Sequence, residues 1–186
     1  PFVNGYLKTT LSKKLTNGLK KICLSKNKSI DDWSTYNFYE WDFPEIKELN
    51  TIQVEMVKEF MRTYGSVTQS GFFDFSGWVN IRQDKSWHSP HYHVNTPLTF
   101  NTYVSVPKGT TVSFMNPDQN YGDRKGKVGS SSHIIKPKEG TMILTPGWWL
   151  HWTDPTFSNK YRISMSTNVT IHNNNFIDTF INNNFK

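Results

Sequence analysis

His91 and His93 stand two residues apart in residues 86–103 (SWHSPHYHVNTPLTFNTY), and imidazoles at that spacing can grip one metal ion. In an extended segment residues i and i+2 point to the same side. His88 lies three residues before His91 and is expected on the opposite side, as a supporting or surface residue. A third ligand must come from elsewhere. The motif PGWWLH at 146–151 offers His151, set among apolar and aromatic neighbours sixty residues after His91. Eleven residues later Arg162 opens the alternating run RISMS. On a strand, Arg162, Ser164 and Ser166 share one face, and Tyr161, Ile163 and Met165 share the other. A planar guanidinium holds a carboxylate through two parallel hydrogen bonds, which a lysine cannot match. Arginine and serines on the polar face either meet solvent or line a polar cavity inside a barrel. Each of these residues taken singly is commonplace: paired histidines beside prolines are often surface residues, and so is a strand arginine. The spacing of the whole set carries the reading.

The series H-x-H, about sixty residues, PGWWLH and R-x-S resembles the iron(II)- and 2-oxoglutarate-dependent oxygenases, notably the small bacterial and phage members of the prolyl-hydroxylase-like group. The resemblance runs over residues 77–169, about half of the chain. It implies a double-stranded β-helix (a jelly roll, or cupin-like barrel), with Fe(II), 2-oxoglutarate and O₂ as cofactor and cosubstrates. It implies His91, His93 and His151 as metal ligands, and Arg162 as the clamp on the distal carboxylate of 2-oxoglutarate, helped by Ser164. Together the three histidines and Arg162 form the expected catalytic set. Tyr103, on the strand after the histidine pair, and Asn80, a polar residue in the apolar run GWVNIR, are further candidates for the 2-oxoglutarate pocket, since a polar side chain there needs a partner. The implied activity is a dioxygenase, by default a hydroxylase, that couples decarboxylation of 2-oxoglutarate to oxidation of a substrate C–H bond.

One position departs from the family. Most members carry Asp or Glu two residues after the first histidine, completing a two-histidine, one-carboxylate triad with open coordination positions. This chain has His93 there. Three imidazoles leave the metal more positively charged and make halide or other anion binding conceivable. Alternatively a carboxylate arrives from elsewhere, such as Asp84 or Asp154. Two other functions compete. A cupin-type three-histidine metalloenzyme would explain H-x-H and G-x₅-P-G-x₃-H, but residues 94–98 lack the glutamate usual there, and Arg162 gains no role. A non-enzymatic jelly-roll binding module would leave the histidines and Arg162 unexplained. Trp149 and Trp152, beside the distal histidine, are expected in the core or at the substrate mouth.

The elements that must position these residues are legible in the periodicity. Leu7, Leu11, Leu15, Leu19 and Ile22 form one apolar stripe, which predicts a helix with its lysines on the other faces, weakened by Gly18. Residues 31–44 are aromatic and irregular. Asn50, with Gln53 three residues on, predicts the N-terminus of a second helix that Gly65 ends; its buried face would carry Ile52, Met56, Val57, Phe60, Met61 and Tyr64. Beyond Gly65 the pattern alternates, over 77–82, 100–106, 110–114, 140–144 and 161–171, with turns at 107–109, 137–140 and 146–147. Many short strands at such spacing predict a mainly β protein with flanking helices packed outside a barrel or sandwich. Residues 116–132 read as a surface loop or lid, and the tail, with Phe176, Ile177, Phe180 and Ile181, as a short docking helix. The expected organisation is one oxygenase domain over 1–186: helical support to 65, jelly-roll core over 66–171, then the tail.

Composition narrows the setting. Aromatics are plentiful, with 7 Trp, 8 Tyr and 13 Phe, enough for a substantial core. The single cysteine, Cys23, excludes an internal disulfide and suits a reducing compartment. No apolar run approaches the roughly 18 residues of a membrane span, and no leader is visible, so a cytoplasmic protein is expected. The asparagine- and lysine-rich composition suits an AT-rich genome such as a virus's, which would place the protein in an infected bacterial host. The net charge of +6 sits in the N-terminal segment, where seven lysines precede the first acid, Asp31. That segment is a solvated helix face, or a surface for nucleic acid, anionic lipid or an acidic partner. The primary substrate is expected to be a small molecule or a protein side chain, with nucleic acid the weaker candidate.

Overall fold

The computed structural model describes residues 5–26, 37–64, 72–83, 85–115 and 132–172. Among the described residues nine strands form two antiparallel sheets. The five-stranded sheet runs β1 (Leu7–Thr10), β7 (Thr141–Pro146), β4 (Leu98–Ser105), β9 (Arg162–His172) and β2 (Phe72–Arg82). The four-stranded sheet runs β3 (His88–His91), β8 (Leu150–Thr153), β5 (Val112–Met115) and β6 (Ser132–Ile135). Two helices, α1 (Lys13–Lys26) and α2 (Pro44–Tyr64), pack on the outer face of the larger sheet. This is the double-stranded β-helix with external helices.

Alternation along β7 shows how the layers are built. Met142 and Leu144 join Leu15, Leu19, Val57, Phe60, Phe100, Val104 and Met165 in the core between helices and sheet. Ile143 points the other way, to a second core between the sheets with Tyr103, Val112, Phe114 and Trp149. Because both faces of the larger sheet are covered, β4 and β7 are buried at every residue. Each large apolar side chain so buried stabilises the fold by about 1.5–3 kcal/mol before the ordering cost.

The N-terminal elements differ from the periodicity reading in two ways. Leu7 is not on the helix: Leu7–Thr10 forms β1 and pairs with β7, Leu7 opposite Leu144. The consecutive β-branched Thr9 and Thr10 favour a strand. Ser12 then starts α1, its hydroxyl accepting from Leu15 N–H at 3.1 Å. The second helix begins at Pro44 rather than Asn50, six residues earlier. Proline suits the first helical position, and the apolar stripe extends back through Ile46 and Leu49. Asn50 is therefore mid-helix, and Gln53 is no capping residue: buried, it donates to Thr167 Oγ1 and accepts from Tyr39. Gly65, Asp84, residues 31–36 of the 31–44 stretch, residues 116–131 of the expected lid and the tail lie outside the described residues. Cys23 is buried on α1, its thiol pushed up to about 12 by burial.

Gly147 joins the two motif regions. Its N–H donates to Pro97 carbonyl at 3.0 Å, and its own carbonyl accepts from His93 N–H at 2.8 Å. A Cβ at this residue would lie 1.9 Å from the Thr96 carbonyl oxygen. That atom is main chain and cannot swing aside. Gly147→Ala is expected to cost at least about 1–3 kcal/mol through the forced backbone shift. A thermal melt of the metal-free protein would show it, and an unchanged midpoint would contradict this packing.

Candidate active site

The polar face of the larger sheet is built in cross-strand rungs. Arg82 pairs with Arg162, Asn80 with Ser164 and Trp78 with Ser166 between β2 and β9. On the other side of β9, Tyr103 pairs with Ser164, Asn101 with Ser166 and Thr99 with Asn168. Side chains directly opposite each other share a face, so the alternating series Arg162, Ser164, Ser166, Asn168 looks inward toward the smaller sheet. The alternative of a solvated polar face does not hold: Arg162 is 4% exposed.

The smaller sheet supplies the histidines. β3 is an edge strand, which tolerates Pro90, and it pairs with β8 so that His91 lies directly opposite His151. Their ring centroids are 4.3 Å apart. The strand ends at His91. Asn95, in the left-handed region at φ 56°, helps turn the chain, and the His93 main chain docks on Gly147. The His93 ring then lies 5.6 Å from that of His91 and 5.1 Å from that of His151. One ligand atom from each of the three falls within 4.8 Å of the others.

Hydrogen bonds identify those atoms. His91 Nδ1 lies 2.7 Å from Ser89 carbonyl, and His151 Nδ1 lies 3.1 Å from Trp149 carbonyl. His93 Nδ1 meets Asn168 Oδ1 at 2.5 Å. A carbonyl oxygen only accepts, so each Nδ1 carries the proton, and in the neutral ring that leaves Nε2 with its lone pair. Three Nε2 atoms in one cluster, each ring fixed by a partner behind it, fit the donor set of a transition-metal site. Burial, chiefly, and the neighbouring histidines push His151 down to about 3; burial also lowers His93, against the opposing pull of Asn168. Both imidazoles are therefore neutral near pH 7, the form that binds metal.

Among the described residues no carboxylate joins this cluster. Asp154 is not in it; its side chain is exposed and accepts from Thr111, and only its main-chain carbonyl faces Arg162. His93 itself occupies the third corner.

Beside His91 and His151 a narrow pocket is lined by Arg162, Ser164, Tyr103 and Asn80, bringing together the residues singled out from the sequence. Arg162 donates to Asp154 carbonyl at 3.3 Å and Thr156 Oγ1 at 3.5 Å, and pairs with no carboxylate among the described residues. Asn80 donates to Ser166 Oγ at 3.1 Å, and Ser166 donates to Asn101 Oδ1 at 3.3 Å. Among the described residues Asn101 Nδ2 is buried with no hydrogen-bond partner. A buried guanidinium without a carboxylate and a buried amide donor without an acceptor both fit an anionic, oxygen-rich ligand. 2-Oxoglutarate has that chemistry.

Several pocket residues escaped the sequence reading. Asn101 and Arg82 line it, and so does His88; Ser166, which lines it too, is on the face expected for it. The expectation that His88 faces away is corrected: a register shift between His88 and His91 sets the two rings 4.1 Å apart. A bulge cancels the two-residue alternation on which that expectation rested. Burial, followed by His91 and the two arginines, pushes His88 down to about 4. Asn168 was findable by carrying the alternation of Arg162, Ser164 and Ser166 one step further. Trp149 is core, stacked on His133, while Trp152 lines the pocket.

A double-stranded β-helix with a convergent imidazole cluster and a buried arginine fits the class of metal-dependent oxidoreductases. Residues 76–168, half of the chain, match the 2OG-Fe(II) oxygenase family, and the chain belongs to it. It is thus an Fe(II)- and 2-oxoglutarate-dependent oxygenase. No curated protein matches the sequence. Among solved structures, a Pseudomonas putida prolyl-4-hydroxylase superposes with a TM-score of 0.64 at 11% identity, over 89% of this chain and 87% of that one. The viral collagen prolyl hydroxylase of Paramecium Bursaria Chlorella virus-1, in its 2OG complex, gives 0.63 at 15% identity, over 92% and 98%. The alpha ketoglutarate dependent epimerase SnoN of nogalamycin biosynthesis gives 0.65 at 14% identity, over 90% and 78%. At these identities the likeness is one of fold. Among the described residues no helix is long and apolar enough to cross a membrane.

Proposed function

We propose that the protein is a hydroxylase in which His91, His93 and His151 hold Fe(II) through Nε2, and Arg162, with Ser164, takes the distal carboxylate of 2-oxoglutarate. The observation that carries this is the buried, carboxylate-free Arg162 in one pocket with His91 and His151. When bound, iron and 2-oxoglutarate supply the oxidising chemistry: O₂ is split between succinate and substrate, CO₂ is released, and a C–H bond becomes C–OH. The chain's own residues bind and exclude. Tyr103, Asn80, Asn101 and Ser166 complete a polar sleeve of hydrogen-bonding groups for the cosubstrate. Phe114 stacks on His151 at 5.8 Å and closes its far side.

The primary substrate on this reading is a small molecule or a protein side chain with apolar surface near the oxidised carbon. Support comes from Trp87, Tyr92 and Val94, which flank the histidines and are exposed. The cytoplasm is the proposed compartment, supported by the single, buried Cys23, and the chain is proposed to be one oxygenase domain. A cupin-type reaction without 2-oxoglutarate gives Arg162 no task.

The test is to incubate the iron-loaded protein with 2-oxoglutarate, isotopically labelled O₂ and a panel of small-molecule and peptide substrates. Hydroxylation predicts equimolar succinate and product, with one labelled oxygen atom in each. A substrate that consumes 2-oxoglutarate but emerges desaturated or epimerised, without label, would replace hydroxylation by another oxidation.

A further inference from the structure

The inward face of β9 continues past the pocket to Asn168. Its carboxamide oxygen lies 2.5 Å from His93 Nδ1, 75 residues away in sequence. Thr99, opposite Asn168 on β4, brings its hydroxyl to 3.2 Å from the same nitrogen. The Thr99 proton is already committed to the Thr167 carbonyl, at 3.0 Å, so toward the imidazole this hydroxyl can only accept. Two acceptors at one ring nitrogen hold a proton on it. Trp78 lies against the ring with centroids 5.5 Å apart, limiting its rotation. His91 and His151 obtain the equivalent acceptor from main-chain carbonyls two residues away. His93 alone of the three depends on a side chain of the opposite sheet.

We propose that Asn168 is the positioning residue that makes an imidazole serve at the corner where the family usually has a carboxylate. The inference rests on the three-histidine metal site proposed above. A carboxylate offers an oxygen to the metal in any rotation. An imidazole has two tautomers, and only the one protonated at Nδ1 leaves Nε2 free to bind. The Asn168 carboxamide selects that tautomer and that ring orientation. Being neutral, it adds no negative charge, so the three donors and the partners behind them bring no charge to offset that of the metal. An aspartate at 168 would preserve the hydrogen bond and raise the basicity of His93.

The experiment compares wild type, Asn168→Leu and Asn168→Asp as complete chains, each checked for folding by circular dichroism and a thermal melt. Co(II) affinity is measured by competition with a chelator. Paramagnetic proton spectra of the Co(II) forms count the exchange-protected ring N–H signals. Asn168→Leu is expected to weaken Co(II) binding about 10- to 100-fold, the usual cost of removing the acceptor behind a metal-bound histidine, and to lose one of three N–H signals. Asn168→Asp should keep all three signals and bind at least as tightly as wild type. Rescue by the acid but not by the isosteric alkane separates acceptance from packing. Should leucine prevent folding, Asn168→Ser, whose hydroxyl is too short to reach the ring, carries the same comparison. Wild-type affinity and three signals in Asn168→Leu would overturn the proposal, as would equal weakening in leucine and aspartate variants. A wild type that takes up no Co(II) would overturn the three-histidine site itself, so the two failures are distinguishable.

Discussion

Arg162→Leu should abolish useful binding of 2-oxoglutarate while leaving metal uptake close to wild type. The guanidinium is buried, lines the pocket and lacks a carboxylate partner among the described residues. Removing one member of a desolvated charge pair costs about 2–4 kcal/mol, or roughly 30- to 1,000-fold in affinity. Arg162→Lys should fall between, because an ammonium cannot make the two parallel hydrogen bonds of a guanidinium. Anaerobic titration of the Mn(II)-loaded protein with 2-oxoglutarate by calorimetry reads the loss directly. Parallel loss of metal would mean that Arg162 supports the fold around the histidines. Undiminished 2-oxoglutarate binding would remove the cosubstrate role.

His151→Ala should have the converse effect and abolish metal binding. This residue sits at the centre of the cluster: opposite His91 on the neighbouring strand, against His93, and backed by Phe114. Deleting a ligand should exceed the roughly 100-fold upper range for deleting a ligand's support. The contrasting variant is His93→Asp, which installs the carboxylate usual in the family. It should retain Fe(II), since a two-histidine, one-carboxylate set also suits that ion. Equilibrium dialysis against Fe(II) under nitrogen distinguishes these outcomes. A His151→Ala protein that still holds iron tightly would dismantle the proposed ligand set.

The local parts of this architecture were easier to read than the long-range ones. Alternation over 161–171 foretold that Arg162 and Ser164 share one face because β9 is regular there, while the choice between solvent and cavity needed the second sheet. The spacing from His91 through His151 to Arg162 pointed to one site, and the fold brings these residues together. The failures occurred where packing outweighed local signals. Leu7 fits a helical stripe, but pairing with β7 draws it into a strand. Asn50 has a capping pattern, but Pro44 and the apolar stripe start the helix earlier. His88 obeys a two-residue rule only if the strand is regular, and it is not. The partnership of His93 with Asn168 crosses from the turn after β3 to β9 of the larger sheet, 75 residues away, so no sequence window contains it.

That crossing has a mechanical consequence. His91 and His151 belong to the smaller sheet, whereas His93 leans on β4 and β9 of the larger one, as does the arginine that would receive the cosubstrate. On the proposed ligand set, metal and diacid would act as a clasp between the two sheets. Loading the centre and holding the two walls at their working separation would then be one equilibrium, with each ligand raising resistance to opening by RT ln(1 + [L]/Kd).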